Sequence, residues 1–392
     1  MTAPLRIAIV AACPFPLPRG TPVRILRMAE ALAERGHEVH VATYHLGTGP
    51  VSPRVKLHRI RELAWYQKLS PGPTYRKLAF VDPILTRLLR GLLREQRFDV
   101  IHGHHYEGLL VGAAARIGTG VPLVYDAHTL LMSELPFYSL GLPHGVKRGM
   151  GRWMDGWMPR LADHTVCVTD TIRNKLVADA GFAPDRVSAI TNGVEYEHFD
   201  PDAHPPAVAT LGGSLIFTGN LAEYQGIDLM LQAFAAALPR IPAARLRIAS
   251  DSSFEPYEAM ARELGIRQQI DIISSPAFHD LPGLLLASDV AVNPRVDCDG
   301  VPVKLLNYMA SGRPVVSFAS SAPGVVHQRT GWLAESGNVS ALADGMVTLL
   351  QNPELAQGIG RAARQYVAEN CRWQVVAERC ETLYRSLIEA RK

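Results

Sequence analysis

Short apolar runs alternate with helical patterns along this chain. The alternation breaks once and then resumes. "LRIAIVAA" (5–12), "EVHVATY" (38–44), "DVIHGH" (99–104), "PLVYDAH" (122–128) and "HTVCVTD" (164–170) each carry a short apolar run. Between the first two, "TPVRILRMAEALAERGH" places Leu26, Met28, Ala29, Leu32 and Ala33 on or near one helical face, with Gly36 as its stop. Strands covered on both faces read as such near-continuous runs, and intervening helices supply the crossovers that parallel strands need. "HFDPDAHPPAVATLGG" (198–213) has no periodicity and is rich in Pro and Gly, so it reads as a link. The pattern then restarts with "SLIFTG", a helix through "GIDLMLQAFAAAL", "ARLRIAS", "QIDIISS", "SDVAVNP" and "RPVVSFA". The fold class is therefore α/β, with two doubly wound Rossmann-like domains. We place the first domain over 1–200, a linker over 201–213, the second domain over 214–370, and a last amphipathic helix over 371–392. At 392 residues the chain is too long for one core. Ligands of such folds bind at the carboxyl ends of the strands, and we expect them in a cleft where two sheets face each other.

Several classes drop out. No G-x-G-x-x-G follows the first strand: "GTGP" (47–50) and "IGTG" (117–120) lack the third Gly and the strand–helix setting, and there is no P-loop. A net charge of +3 argues against general nucleic-acid binding. The five cysteines, Cys13, Cys167, Cys298, Cys371 and Cys380, are odd in number and show no metal-ligand spacing, which predicts free thiols and a cytoplasmic location. The first strand is too short for a signal peptide, and Arg116 interrupts the best apolar run, so no transmembrane helix is expected.

Polar residues gather at four strand ends. Gly20 follows the first strand, with Thr21 as a helix cap and Pro22 at the first helical position; a helix start there favours an anion. "DVIHGHHYEG" places His102, His104, His105 and Glu107 just past a strand, as a sugar-facing polar site rather than a metal site of H-E-x-x-H spacing. "VYDAHTLLMSELP" offers Asp126, His128 and Glu134, either to orient an acceptor hydroxyl or to satisfy loop amides. In the second half, Gly219 ends a strand and Asn220 and Gln225 follow it. In "NPRVDCDGVPVKLLNYMASG" the amides around Val303, Lys304, Leu305 and Leu306 open a helix, and Lys304 adds a full charge.

On these residues the chain resembles a family 4 glycosyltransferase of the GT-B fold over nearly its full length. "RGTPVRILRMAEALAERGHEVHVATY" is similar to the family's N-terminal glycine loop and helix, and "FDVIHGHH" to its Asp-Val-Val-His-x-His segment. "VSAITNGVEYEHFDP" is similar to the segment that closes the first domain, and "PVKLLNYMASGRPVV" to the donor-binding helix and its strand. The resemblance implies transfer of a sugar from a nucleotide-sugar donor to a glycan, lipid or lipid-linked acceptor, with retention, no metal and no other cofactor. It implies catalytic roles for His104 and Asp299. Gly20, Thr21, Gly219, Asn220, Gln225, Arg295, Val303, Lys304, Leu305, Leu306 and Asn307 would bind the donor, and His105, Glu107, Asp126 and His128 would lie on the acceptor side.

The chain also departs from the family. The two glutamates eight positions apart around the donor helix read here as Asp299 and Asn307, and the diphosphate-gripping Arg and Lys of the preceding loop read as Asn220 and Gln225. Lys304, with or without Arg295, is the expected replacement for the missing cations. The alternative reading is a non-catalytic nucleotide-sugar-binding or assembly protein of the same fold; within enzymes, the rival is an epimerase or inverting transferase.

Charge patterning adds a partner. Lys+Arg less Asp+Glu is 11 − 3 = +8 over residues 51–97. Lys68, Arg76, Lys77, Arg87, Arg90 and Arg94 interleave with apolar residues there, as do the basic residues of "KRGMGRWMDGWMPR" (147–160). Such stretches suit an anionic membrane surface and predict peripheral attachment to the cytoplasmic face.

Overall fold

The computed structural model describes residues 3–18, 20–69, 74, 76–138, 141–204, 212–298 and 300–391. It divides into two compact units: Met1–Gly193 together with Trp373–Lys392, and Val194–Arg372.

The first unit contains β1 (Arg6–Ala11), α1 (Gly20–Glu34), β2 (Glu38–Thr43), β3 (Val55–Arg59), α2 (Asp82–Glu95), β4 (Val100–His104), α3 (His105–Ala115) and β5 (Leu123–Ala127). It continues through α4 (Leu131–Glu134), α5 (His144–Trp157), β6 (His164–Cys167), α6 (Asp170–Ala180) and β7 (Val187–Ala189). The strands form one parallel sheet in the order β3-β2-β1-β4-β5-β6-β7. The order reverses direction between β1 and β4, which opens a crevice at their carboxyl ends. β1, β4 and β5 are buried almost throughout, and β4 and β5 carry the polar His102, His104 and Asp126 into that interior.

The second unit contains β8 (Ser214–Thr218), α7 (Ile227–Ala237), β9 (Arg245–Ser250), α8 (Glu255–Glu263), β10 (Ile270–Ser274), α9 (Leu281–Leu286) and β11 (Val290–Asn293). It closes with α10 (Val303–Ala310), β12 (Val315–Phe318), β13 (Trp332–Ala334), α11 (Val339–Gln351) and α12 (Pro353–Asn370). Its parallel sheet runs β10-β9-β8-β11-β12-β13, with the reversal between β8 and β11.

The last helix, α13 (Trp373–Glu389), returns to the first unit. Its Trp373, Val376, Ala377, Cys380 and Tyr384 share a core with Ile25, Met28 and Leu32 of α1. The chain passes between units at Gly193/Val194, ahead of the 200/201 boundary read from the sequence. The reason is local: the Val194 amide bonds the Cys371 carbonyl at 2.8 Å, and Phe199 is buried in a core with α10 and α12. The expected linker falls partly on 205–211, which lie outside the described residues. None of the five cysteines is in a disulfide, and no helix among the described residues is long and apolar enough to cross a membrane.

Candidate active site

Two polar centres sit at the two reversal points, one in each unit. The first is a cavity of about 320 Å³ at the carboxyl ends of β1, β4 and β5. Gly20, Thr21, His104, His105, Glu107, His128 and Glu134 line it, so most of the predicted first-half residues meet in one place. Helix α1 begins at Gly20, so Thr21 lies inside the first turn and is not the cap expected. Its hydroxyl instead lies 3.2 Å from His128 Nδ1, and His128 Nε2 lies 3.0 Å from His104 Nδ1. His104 Nε2 is buried with no hydrogen-bond partner among the described residues. Burial holds the His104 imidazole well below its ordinary pKa and brings His128 down to about 3, so both rings are neutral. A neutral imidazole can meet a sugar hydroxyl as donor or acceptor, according to its tautomer.

Behind this pair lies a network that the sequence reading missed. Arg24 on α1 donates to Asp126 Oδ2 at 2.9 and 3.1 Å and to the carbonyls of Ile190 and Thr191. His102 Nε2 stands 3.3 Å from the same carboxylate, and His102 Nδ1 stands 2.5 Å from the Tyr384 hydroxyl of α13. Burial pushes the Asp126 carboxyl up, but Arg24 together with the surrounding histidines outweighs it and holds the group ionised. Asp126 was expected on the acceptor side. It does not line the cavity and is fully buried, because its charge is needed by Arg24. His102 is likewise structural. His102, His104 and Asp126 are close enough to hold a metal ion. They fit one poorly: the shared carboxylate already carries a guanidinium, and a second cation would meet it in a low-dielectric interior.

At the other wall, His105 opens α3 with φ +62°, a left-handed conformation rare outside glycine. That turn sets its ring between Glu107 Oε2 at 3.4 Å and Glu134 Oε2 at 3.7 Å. Burial disfavours the imidazolium, but Glu134 and Glu107 more than offset this and raise its pKa. Lys77 pairs with Glu107. Lys77 was expected on a membrane-facing surface; its ammonium is instead buried and belongs to the cavity.

The second centre lies past β8 and β11. Gly219 holds φ +122°, which lets the chain turn off β8 beside the Lys304 stem. Tyr308 of α10 ties this turn down: its hydroxyl accepts from the Thr218 amide at 2.7 Å and the Thr218 hydroxyl at 3.1 Å. Asn220 accepts from Gln225 Nε2 at 3.3 Å, and Lys304 Nζ donates to Gln225 Oε1 at 2.5 Å. Lys304 also sits 4.1 Å over the Phe217 ring. No carboxylate pairs with it among the described residues. Burial first, then Arg295, pulls its pKa down to about 7. Arg295 stacks 5.0 Å from the Tyr224 ring centre. Of the helix-start amides expected to face an anion, that of Leu305 is bonded to the Pro302 carbonyl at 3.0 Å, so it is turned back into the helix. Val303 is exposed and Leu306 is buried. Asn307 Oδ1 is buried with no partner among the described residues. Asp299 lies outside the described residues.

Comparison with known proteins identifies the class. The model for Glycosyltransferase Family 4 matches residues 18–198, and that for Glycosyl transferases group 1 matches residues 212–352. A D-inositol 3-phosphate glycosyltransferase of Saccharomonospora viridis is 27% identical over 99% of this chain and 95% of its own. One of Corynebacterium diphtheriae is 27% identical over 97% and 94%. Among solved structures, sucrose-phosphate synthase from Thermosynechococcus elongatus superposes with a TM-score of 0.76 at 18% identity, covering 98% of this chain and all of that one. HepE from Anabaena, crystallised with UDP and glucose, gives 0.72 at 17% identity, covering 97% and 100%.

The two parallel sheets give the chain the GT-B fold. With one glycosyltransferase model matching each half of it, this chain is a glycosyltransferase.

Proposed function

We propose that this enzyme takes its sugar from a nucleoside-diphosphate donor whose diphosphate is held by Lys304. The observation that carries this reading is Lys304 itself. A half-buried ammonium with no carboxylate partner among the described residues favours an incoming anion, and it lies where β8 and β11 diverge. Asn307 Oδ1, which has no hydrogen-bond partner among the described residues, suits a ribose hydroxyl. HepE, of the same fold, binds UDP and UDP-glucose. In the first unit, His104 Nε2 is the atom we assign to the donor sugar, where it steadies developing charge without carrying any itself. Asp299 is assigned to the sugar hydroxyls on the family resemblance alone. The acceptor hydroxyl attacks on the face the diphosphate leaves, so configuration is retained, and the leaving oxygens take its proton. Lys304 supplies the charge that would otherwise call for a metal. The test is Lys304→Ala: unchanged nucleotide affinity and turnover would remove the reading.

We also propose that α5 attaches the enzyme to an acidic lipid surface bearing its acceptor. The two basic stretches differ in what they bury. Helix α2 turns Leu85, Leu89 and Leu92 into the core, so its arginines form an ordinary solvated face. On α5, Val146, Met150, Trp153 and Trp157 recur at i, i+4, i+7 and i+11, and all four are exposed. Exposed Arg148 and Arg152 lie on the same helix, and Phe137 just before it is 83% exposed. Sedimentation with anionic liposomes at low salt is expected, and its loss in Trp153→Ser/Trp157→Ser. A wild-type protein that stays in the supernatant would count against attachment.

A further inference from the structure

The charged groups of the first unit's cavity close on one another. Lys77 Nζ donates to Glu107 Oε1, and His105 bridges Glu107 and Glu134. The Glu134 oxygens accept from the Tyr138 hydroxyl and, at 2.7 Å, from the Thr129 hydroxyl. Taking Lys77 and His105 as cations and Glu107 and Glu134 as anions, the described lining sums to 2 − 2 = 0. The remaining histidines at the wall, His104 and His128, are neutral. Much of the other surface is apolar, including Pro14, Leu17 and Ile25.

We propose that the acceptor unit this cavity receives is an uncharged, hydroxyl-bearing ring rather than a phosphorylated one. Glu107 is the internal counter-ion that excludes the phosphate. The proposal rests on the reading above that an acceptor enters this cavity. A phosphate approaching Lys77 must either displace Glu107, leaving a buried carboxylate with only the His105 ring it shares with Glu134, or lie beside two carboxylates where the dielectric is low. A ring hydroxyl meets neither penalty, because it can donate to a carboxylate oxygen and accept from a tyrosine or an imidazole. The curated relatives are named for inositol 3-phosphate, a phosphorylated ring of the kind this proposal excludes here.

The test is titration calorimetry on the full-length protein with UDP present at saturation, which keeps phosphate away from Lys304. The ligands are three ring pairs: inositol and inositol 3-phosphate, glucose and glucose 6-phosphate, and N-acetylglucosamine and its 6-phosphate. The wild type is expected to bind no phosphorylated member more tightly than its neutral partner. Glu107→Gln is expected to shift that ratio at least tenfold toward the phosphorylated member, and Glu107→Gln/Lys77→Met to cancel the shift. A wild-type preference of tenfold or more for a phosphorylated ring, lost in Lys77→Met, would overturn the proposal. So would a folded Glu107→Gln protein that shows no shift. If Glu107→Gln does not fold, the wild-type ratio and its response to Lys77→Met decide alone. UDP binding is read on the same samples, so failure of the donor reading is seen separately from failure of this one.

Discussion

Lys304 carries the sharpest residue-scale consequence. Burial and Arg295 bring its pKa to about 7, and only the charged form attracts a diphosphate. Nucleotide binding is therefore expected to be strongest below pH 7 and to weaken as pH rises above it, by up to about tenfold per pH unit until the pKa of the bound state is reached. The bound anion raises that pKa, so binding at pH 8 takes up a proton; calorimetry in buffers of differing ionisation enthalpy measures it. Binding that is flat from pH 6 to 9 would assign the phosphates to another group. Arg24 carries a stability consequence. Arg24→Met strands the Asp126 carboxylate and is expected to cost about 3–5 kcal/mol, read as a fall in denaturation midpoint. Neither role was equally visible in the sequence. Lys304 stood beside a helix start in a recognisable segment. Arg24 pairs with a residue 102 positions away, and His102 meets a tyrosine 282 positions away, so nothing local marked either bond. Lys77 was read as one more surface cation because its partner Glu107 comes from another helix.

At the scale of elements, the strands that escaped the sequence reading share a property. β3, β7 and β13 all lie at sheet edges, where half-exposed residues blur the apolar pattern. The central strands, buried on both faces, were legible. Helix α10 was legible too, but not its anchoring. Tyr308→Phe removes the hydroxyl that accepts from Thr218 and is expected to cost about 1–3 kcal/mol, with weaker nucleotide binding because the Gly219 turn loosens. A urea titration with and without nucleotide separates the two effects. The contrast of α2 with α5 was illegible for a plain reason: both stretches interleave basic and apolar residues, and only packing shows which apolar residues are covered.

At the scale of the whole molecule, the chain leaves its first unit at Gly193 and comes back at Trp373. A Cβ on Gly193 would run into the Trp373 indole, so the exit and return strands of chain are matched to each other. Gly193→Ala is expected to destabilise the first unit by about 1–3 kcal/mol, the usual cost of overpacking. A rise in its melting temperature would contradict the described contact. The broad plan, two α/β units followed by a final helix, was readable from periodicity alone. The exact crossing point was not, because it depends on a side chain 180 residues downstream, at 373 − 193.

The central claim is that this glycosyltransferase holds a nucleoside diphosphate through the half-buried Lys304. The most direct measurement is a thermal-shift titration of UDP, GDP, ADP and dTDP against wild type and Lys304→Ala. A ligand at about 100 times its dissociation constant adds about 2.7 kcal/mol of stability. The account predicts a clear shift with one nucleotide in the wild type, and at least a tenfold loss of affinity in Lys304→Ala. Equal shifts in the two proteins, or none with any nucleotide at millimolar concentration, would contradict it.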